Sequence, residues 1–451
     1  MSGGNFDINV GKVRPGVYVN TKSKKQQKPK SSTRGIAVVP LIGYNWGPNG
    51  KFVKLSVESP DAESAKLGHS IYDADDFMLL IREAFKNAIT VYAYVINPGT
   101  AAKATLEGMT VTAAYGGTRG NDIKVSSVAN VTAGYDVTVY LGTEKVESYK
   151  GLETVADLIA ASKKTYVTFS AEETGASLTA FAATSLTGGA AGTVETSEVT
   201  TFLDKLEGIK WHTLCFPVTE AALVTACITK IKSLRANVGK WVQAVLPDCK
   251  SDHEGIISVT NALVLDDGTI EGQELTIAQT CAWVAGVTAA ATKTESNTYV
   301  EYEGAIGIVG EKTNEEATLA IQNGEFFFSM SDEGKVVVEY DINSLHTFTT
   351  EKTSDYRKNR VMRVYDSFAE DLALTFPPNK YDNSEEGWLV MEGLGRSLLQ
   401  AYLDDGAITN VDLDNDFYVD QSRSQGDETY FNIGIQAVDS AEKLYFSVST
   451  R

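Results

Sequence analysis

The chain has 451 residues, 43% of them hydrophobic, which is too long for one ordinary core and predicts two to four globular domains. Its formal net charge of −19 argues against binding a phosphate backbone, because nucleic-acid binders gather Lys and Arg on a working face. No apolar run reaches the roughly 18 residues of a membrane-spanning helix, and Met1-Ser-Gly-Gly-Asn-Phe-Asp7 lacks the basic and apolar regions of a signal peptide, so the expectation is a chain made and kept in the cytosol without membrane contact.

Charge is uneven along the chain. Residues 1–34 carry eight basic side chains against Asp7 alone, a net of +7 that leaves −26 for the remainder. Val17, Tyr18 and Val19, introduced by Pro15-Gly16, form a short β-prone run. The polar, lysine-rich stretch that follows, residues 21–33, can reach at most roughly 45 Å and suits either a tether or a solvated tail. From 35 to 97 the pattern is strand, loop, helix, strand, half of an α/β unit. Ile36-Ala-Val-Val39 is a buried-strand run, Asp73 is placed to cap a helix with Phe77, Leu80, Ile81, Ala84 and Phe85 on one face, and residues 90–96 read as a strand.

At Pro98-Gly99 the texture changes. Residues 98–192 are rich in Thr, Ala, Gly and Val, with alternating runs at 123–128 and 135–140 and turn signals at Gly116-Gly117 and Gly188-Gly189, predicting a small β-sandwich or barrel inserted into the α/β domain. The α/β texture resumes over 193–360. It gives a helix with Val199, Phe202, Leu203 and Leu206, a strand at 211–216, a helix with Val224, Cys227, Ile228, Ile231 and Leu234, and a strand at 241–246. Residues 256–265 read as a strand, 277–291 as an apolar helix, and 325–330 with 335–340 as a hairpin across Ser331 to Gly334.

The last domain, 361–451, opens with a helix over 361–376 that Pro377-Pro378 ends. Asn383 with Glu386 resembles a capping box for a second helix, 387–404, with Met391, Leu394, Leu398 and Tyr402 as an apolar core stripe. Gly393 and Gly395 weaken that helix by up to ~1 kcal/mol each, which points to close packing. Residues 401–451 carry a net charge of −7, complementary to the N-terminal arm. The chain closes on strict alternation, with Leu444, Phe446 and Val448 on one face and Tyr445, Ser447 and Ser449 on the other. Such a terminal strand must be covered by its own sheet or lent to another chain, and β-prone runs at both ends suggest a polymer.

Motifs for chemistry are missing. Tyr115-Gly-Gly-Thr-Arg-Gly-Asn121 lacks the Gly-Lys-Ser/Thr ending of a phosphate loop, and Gly304-Ala-Ile-Gly-Ile-Val-Gly310 lacks dinucleotide-site spacing, so both are read as turns and no cofactor is expected. Asp412-Leu-Asp-Asn-Asp416 starts like a calcium loop, but Phe417 stands where Gly is required and Arg423 where the bidentate Glu belongs, which leaves a solvated acidic loop. His69, His212, His253 and His346 are isolated, and Cys215, Cys227, Cys249 and Cys281 are widely spaced, predicting buried free thiols rather than metal ligands or disulfides. No Gly-x-Ser-x-Gly elbow is present.

Several segments, in order along nearly the whole chain, resemble contractile phage tail sheath proteins. The likeness is to the compact type of Gram-positive phages, defective prophages and phage-tail-like bacteriocins. The segments are Arg14-Pro-Gly-Val-Tyr-Val19, Asp76-Phe-Met-Leu-Leu-Ile-Arg-Glu-Ala-Phe-Lys86, Gly117-Thr-Arg-Gly-Asn-Asp-Ile123, Tyr302-Glu-Gly-Ala305, Val336-Val-Val-Glu-Tyr-Asp-Ile-Asn343, Tyr356-Arg-Lys-Asn-Arg-Val361 and Gln436-Ala-Val-Asp-Ser-Ala-Glu-Lys-Leu-Tyr445. The resemblance implies an α/β core, an outward-facing inserted β-sandwich and an α+β C-terminal domain facing a tail tube. It further implies arms in which Val17, Tyr18, Val19 and Leu444, Tyr445, Phe446, Ser447, Val448 add strands to neighbouring subunits. The expected partners are other copies in a helical sheath, the tube protein, and baseplate and tail terminator proteins. The expected function is structural: a sleeve assembled in the bacterial cytoplasm that shortens to drive the tube through an envelope. A cytosolic α/β hydrolase or polysaccharide-active enzyme with a β appendage is the alternative from another class, and a surface-layer protein or adhesin is disfavoured by the missing signal peptide.

Overall fold

The computed structural model describes residues 3–4, 17–18, 33–58, 67–73, 75–266 and 272–450. Two units are formed, one from residues 33–370 with 437–451 and the other from residues 1–32 with 371–436. In the latter, β1 (Gly3–Gly4) pairs in parallel with β2 (Val17–Tyr18), Gly3 opposite Val17 and Gly4 opposite Tyr18. Val19 and residues 21–32 of the lysine-rich stretch lie outside the described residues.

The α/β unit begins with β3 (Ile36–Ile42), β4 (Lys51–Ser56), α1 (Asp76–Phe85) and β5 (Thr90–Ile96). β3 runs parallel to β5, and β4, an edge strand the sequence pattern did not reveal, is antiparallel to it. The cap of α1 is Asp75, not Asp73. Asp75 has the extended backbone a cap needs and accepts from the N–H groups of Phe77 and Met78, whereas the Asp73 carboxylate takes the Ser70 N–H.

The insertion holds β6 (Lys103–Leu106), β7 (Met109–Ala113), β8 (Ile123–Ala129), β9 (Tyr135–Leu141), β10 (Glu144–Leu152), α2 (Val155–Ala161), β11 (Val167–Ala171) and β12 (Phe181–Ser185). They make a β-sandwich of two antiparallel sheets, ordered β10-β9-β8-β12 and β11-β7-β6. Period-two burial aims Met109, Val111 and Ala113 of one sheet and Val125, Val137 and Val139 of the other into a shared apolar cluster.

The chain then returns through α3 (Thr196–Lys205), β13 (Thr213–Cys215), α4 (Ala221–Ser233), β14 (Gln243–Pro247) and β15 (Ile256–Val259). Next come β16 (Ala262–Leu265), β17 (Gln273–Glu274), α5 (Ile277–Ala290), β18 (Ala305–Val309), α6 (Asn314–Gln322), β19 (Glu325–Phe326), β20 (Phe328–Met330) and β21 (Val336–Val338). The central sheet has the order β19-β15-β14-β13-β3-β5-β4 and is parallel except at β4. Alternate residues of β3 serve opposite faces: Ala37, Val39 and Leu41 pack with α1 and α5, while Val38 packs with α3 and α4. α1 and α5 approach so closely that a Cβ on Gly286 would lie 2.3 Å from the Ala84 carbonyl oxygen.

Three readings need correction here. Residues 256–265 form two strands in different sheets, because the buried Asn261 side chain donates to the Phe328 carbonyl and accepts its N–H, turning the chain between β15 and β16. The hairpin is shorter than expected: β20 pairs with β21, while Glu325–Phe326 joins the central sheet beside β15. The 304–310 stretch is strand β18, with positive-φ glycines at its two ends rather than a turn throughout.

α7 (Asn359–Thr375) leads from the α/β unit into the other one, where α8 (Glu385–Asp404), β22 (Ile408–Thr409), β23 (Phe417–Val419) and β24 (Phe431–Ile433) follow, the last two antiparallel. Ser384 caps α8 by accepting the Gly387 N–H. Asn383 instead accepts from the Trp388 indole and donates to the carbonyls of Gly426 and Glu428, so its side chain is already engaged. Gly395 faces Phe417, whose ring would lie 2.1 Å from an added Cβ, while Gly393 has open space.

Candidate functional site

The C-terminal arm is the most unusual surface of the α/β unit. Leu444, Tyr445, Phe446 and Val448 are 65%, 89%, 83% and 89% exposed, and Ser447 is exposed with them. No residue from 438 to 450 belongs to a strand within this chain. An alternating apolar segment is thus left in water on both faces.

Just before it, the arm is fixed. Glu442 pairs with Lys358 through Oε2 and accepts the Ser296 hydroxyl proton at Oε1, 2.7 Å away. Lys358 also lies 3.6 Å from Asp439 and 4.3 Å from the centre of the Tyr340 ring. Burial draws the Lys358 ammonium below its usual pKa, and the carboxylates of Asp439 and Asp341 oppose that shift. Arg360 donates to the Ser440 hydroxyl at 2.5 Å. Beneath this contact, buried Asp341 accepts from Arg363 at 2.7 Å and from the Asn359 amide at 2.9 Å, and Asn359 in turn accepts from Gln243 of β14 at 3.0 Å. A continuous polar network thus runs from the central sheet to the root of the arm. Lys358, Glu442, Ser296 and Arg360 escaped the sequence reading, although two of the quoted segments carried the signal: cations at 358 and 360, carboxylates at 439 and 442.

The glycine-dense stretch 115–121 joins the insertion to the core. Gly117 has a φ of +107°, and a Cβ there would lie 2.0 Å from the Asn45 carbonyl oxygen. Asn97 donates to the Gly116 carbonyl at 2.7 Å, and Arg119 donates through Nε to the Gly68 carbonyl at 3.0 Å. The rings of Trp46 and Tyr115 meet edge to face at 5.2 Å. Glycine is required for close backbone approach, and the stretch ends in a short helical turn at Thr118–Asp122.

Groups suited to catalysis are internally engaged. Asp412 accepts the Asp414 N–H and the Asn415 side-chain amide, closing the acidic loop on itself. His212 accepts the Ile36 N–H at Nδ1, and burial pulls its pKa to about 3; His253 is pulled to about 4 by burial against the opposing Glu254 charge. Cys215, Cys227, Cys249 and Cys281 are free and buried, and burial pushes all four thiols up. Among the described residues no cluster of three or more His, Cys, Asp or Glu is arranged to hold a metal ion, and no helix is long and apolar enough to cross a membrane.

Family models described as the phage tail sheath protein beta-sandwich domain, the central domain and the C-terminal domain match residues 97–191, 192–344 and 351–451. The phage-like element PBSX protein XkdK of Bacillus subtilis is 35% identical, over 99% of each chain. This chain belongs to the phage tail sheath family. A crystal structure of the sheath tail protein from Desulfitobacterium hafniense superposes with a TM-score of 0.81 at 36% identity, over 96% of this sheath chain and 99% of that one. The contracted helical sheath of the anti-feeding prophage matches at a TM-score of 0.56 and 12% identity, over 98% of this chain and all of that one, a likeness of fold. The protein is therefore a structural sheath subunit, a component of a phage or tail-like particle, and the hydrolase alternative finds no support among these matches.

Of the residues expected to form inter-subunit strands, Val17 and Tyr18 pair here with Gly3 and Gly4, Val19 lies outside the described residues, and Leu444 to Val448 are exposed with no strand partner among the described residues.

Proposed function

We propose that copies of this subunit polymerise head to tail into a helical sleeve around a tail tube, with Val17, Tyr18 and Val19 and the run from Leu444 to Val448 donated as strands to neighbouring copies. The exposed, alternating arm carries this reading, since its apolar side chains and strand edge are satisfied together only by a second chain. Each added backbone hydrogen bond contributes a net ~0.5 to 1.5 kcal/mol.

In this reading the chain works as an arm and linker (1–34), a core (35–97 and 193–360), an outer sandwich (98–192) and an inner domain ending in the second arm (361–451). The sandwich faces outward, the inner domain faces the tube, and baseplate and terminator proteins meet the two ends of the sleeve. Assembly takes place in the bacterial cytoplasm, and collapse to a shorter, wider helix drives the tube through the target envelope. Work comes from the difference between two sets of inter-subunit contacts, so no catalytic step, cofactor or nucleic acid is required. The basic N-terminal segment is drawn toward acidic C-terminal segments of other copies before the strand docks, an effect screened within ~8 Å at physiological salt.

Negative-stain microscopy of the full chain and of a truncation lacking residues 1–20 tests the mesh. The full chain is expected to form hollow striated cylinders and the truncation to remain folded single subunits. Normal cylinders from the truncation would refute a role for the N-terminal strand.

A further inference from the structure

Three segments distant in sequence, 336–343, 356–361 and 436–445, converge at the root of the C-terminal arm. Within two residues the chain passes from a carboxylate 9% exposed, Glu442, to Leu444 at 65%. Lys358 and Lys443 stand 4.3 and 5.6 Å from the centre of the same Tyr340 ring, so the core cation that holds Glu442 and the arm residue just beyond Glu442 share a support. A buried charge needs partners, and here Lys358 has the carboxylates of Glu442 and Asp439 and the face of Tyr340, while Glu442 accepts the Ser296 hydroxyl at Oε1 and faces Lys358 as an ion pair through Oε2.

We propose that Glu442, gripped between Lys358 and Ser296, is the positioning residue of the arm: it fixes where residues 444–450 leave the core and so presents them as a strand to a second copy of this chain. The proposal rests on the strand-donation reading above. The run 444–450 extends at most about 25 Å from its root, so the exit point decides which neighbouring edge it can meet. Releasing the root back to residue 437 doubles the free length and dilutes the strand roughly threefold at its docking site, through the −3/2 power dependence of effective concentration on length. It also removes the orientation that a fixed root imposes.

The test compares the full chain with Glu442→Gln, Lys358→Arg and a truncation ending at Lys443. Glu442→Gln is expected to melt with the parent, to be cut by a non-specific protease within 438–443 on the order of tenfold faster, and to polymerise at least about threefold more slowly by light scattering. Lys358→Arg keeps the pair and should polymerise as the parent does, while the truncation should form no cylinders. Parental polymerisation of Glu442→Gln, or unchanged cleavage within 438–443, overturns the pivot and leaves strand donation standing. Parental cylinders from the truncation overturn strand donation itself. Should Glu442→Gln unfold globally, Glu442→Asp decides instead, because it keeps the charge while shortening the reach to Lys358 and Ser296. Faster cleavage with slower polymerisation at an unchanged melting temperature supports the proposal, and a parental polymerisation rate overturns it.

Discussion

The α/β core and the inserted sandwich solve burial in opposite ways. In the core every residue of β14 and β15 is buried, since helices cover both faces of a parallel sheet. In the sandwich only alternate residues of a strand such as β7 face inward, and β12 is mostly exposed. The core therefore tolerates little change on either face, whereas the sandwich needs only its inner face preserved. What couples them is backbone fitted to backbone at the glycine joint, and that contact has no slack.

The comparison breaks most visibly at the joint. Gly117→Ala places a Cβ against the Asn45 carbonyl at a positive φ and should cost more than about 4 kcal/mol of coupling between sandwich and core. Limited proteolysis should then cut near residues 97 and 192 while each fragment keeps its own circular dichroism; an uncut, parent-like chain would show that the joint yields.

Next come matched cavities. Ile81→Ala in α1 should cost about 2 to 5 kcal/mol and lower the melting of the core. Val139→Ala in β9 should cost about 1 to 3 kcal/mol and show only in the sandwich. Calorimetry with separate transitions checks this, and one joint shift from both variants would mean that the two regions unfold as a unit.

Acid should separate them too, because residues 98–192 contain no histidine. His212 is held neutral in the fold with a pKa of about 3 against an ordinary 6.5, so below pH 6.5 the unfolded chain takes up a proton that the folded chain does not. Core stability falls with falling pH across that window by about 1.4 kcal/mol per pH unit for each such group. His212→Gln should recover about 2 kcal/mol of that loss near pH 5 in denaturant titrations, and an unaltered slope would remove His212 as its source.

The smallest contrast uses one motif in both regions. Thr154 and Thr276 each close a capping box, on α2 and α5. Replacing either by Ala should cost about 1 kcal/mol, the first seen only in the sandwich transition and the second only in that of the core.

What the sequence made legible follows from the range of the forces involved. The helix with Phe77, Leu80, Ile81, Ala84 and Phe85 and the strand at 90–96 were readable because burial imprints a period on consecutive residues. Caps were misplaced by one or two positions, as at Asp73 and Asn383, because a cap is chosen by backbone conformation as well as by residue type. The break after β15 depended on Asn261 meeting Phe328, and the arm root on Glu442 meeting Lys358, encounters that no local pattern encodes. Alternation at 444–448 specified a two-faced ribbon without naming what covers it.

The burial of Cys215, Cys227, Cys249 and Cys281 has a practical consequence. With all four native thiols shielded and held protonated, a single cysteine introduced at the fully exposed Val131 of the sandwich would be the preferred target of a thiol-reactive dye. Donor- and acceptor-labelled subunits mixed into one sleeve would then report the spacing between neighbouring sandwiches by energy transfer, following a change of length in real time on otherwise native protein.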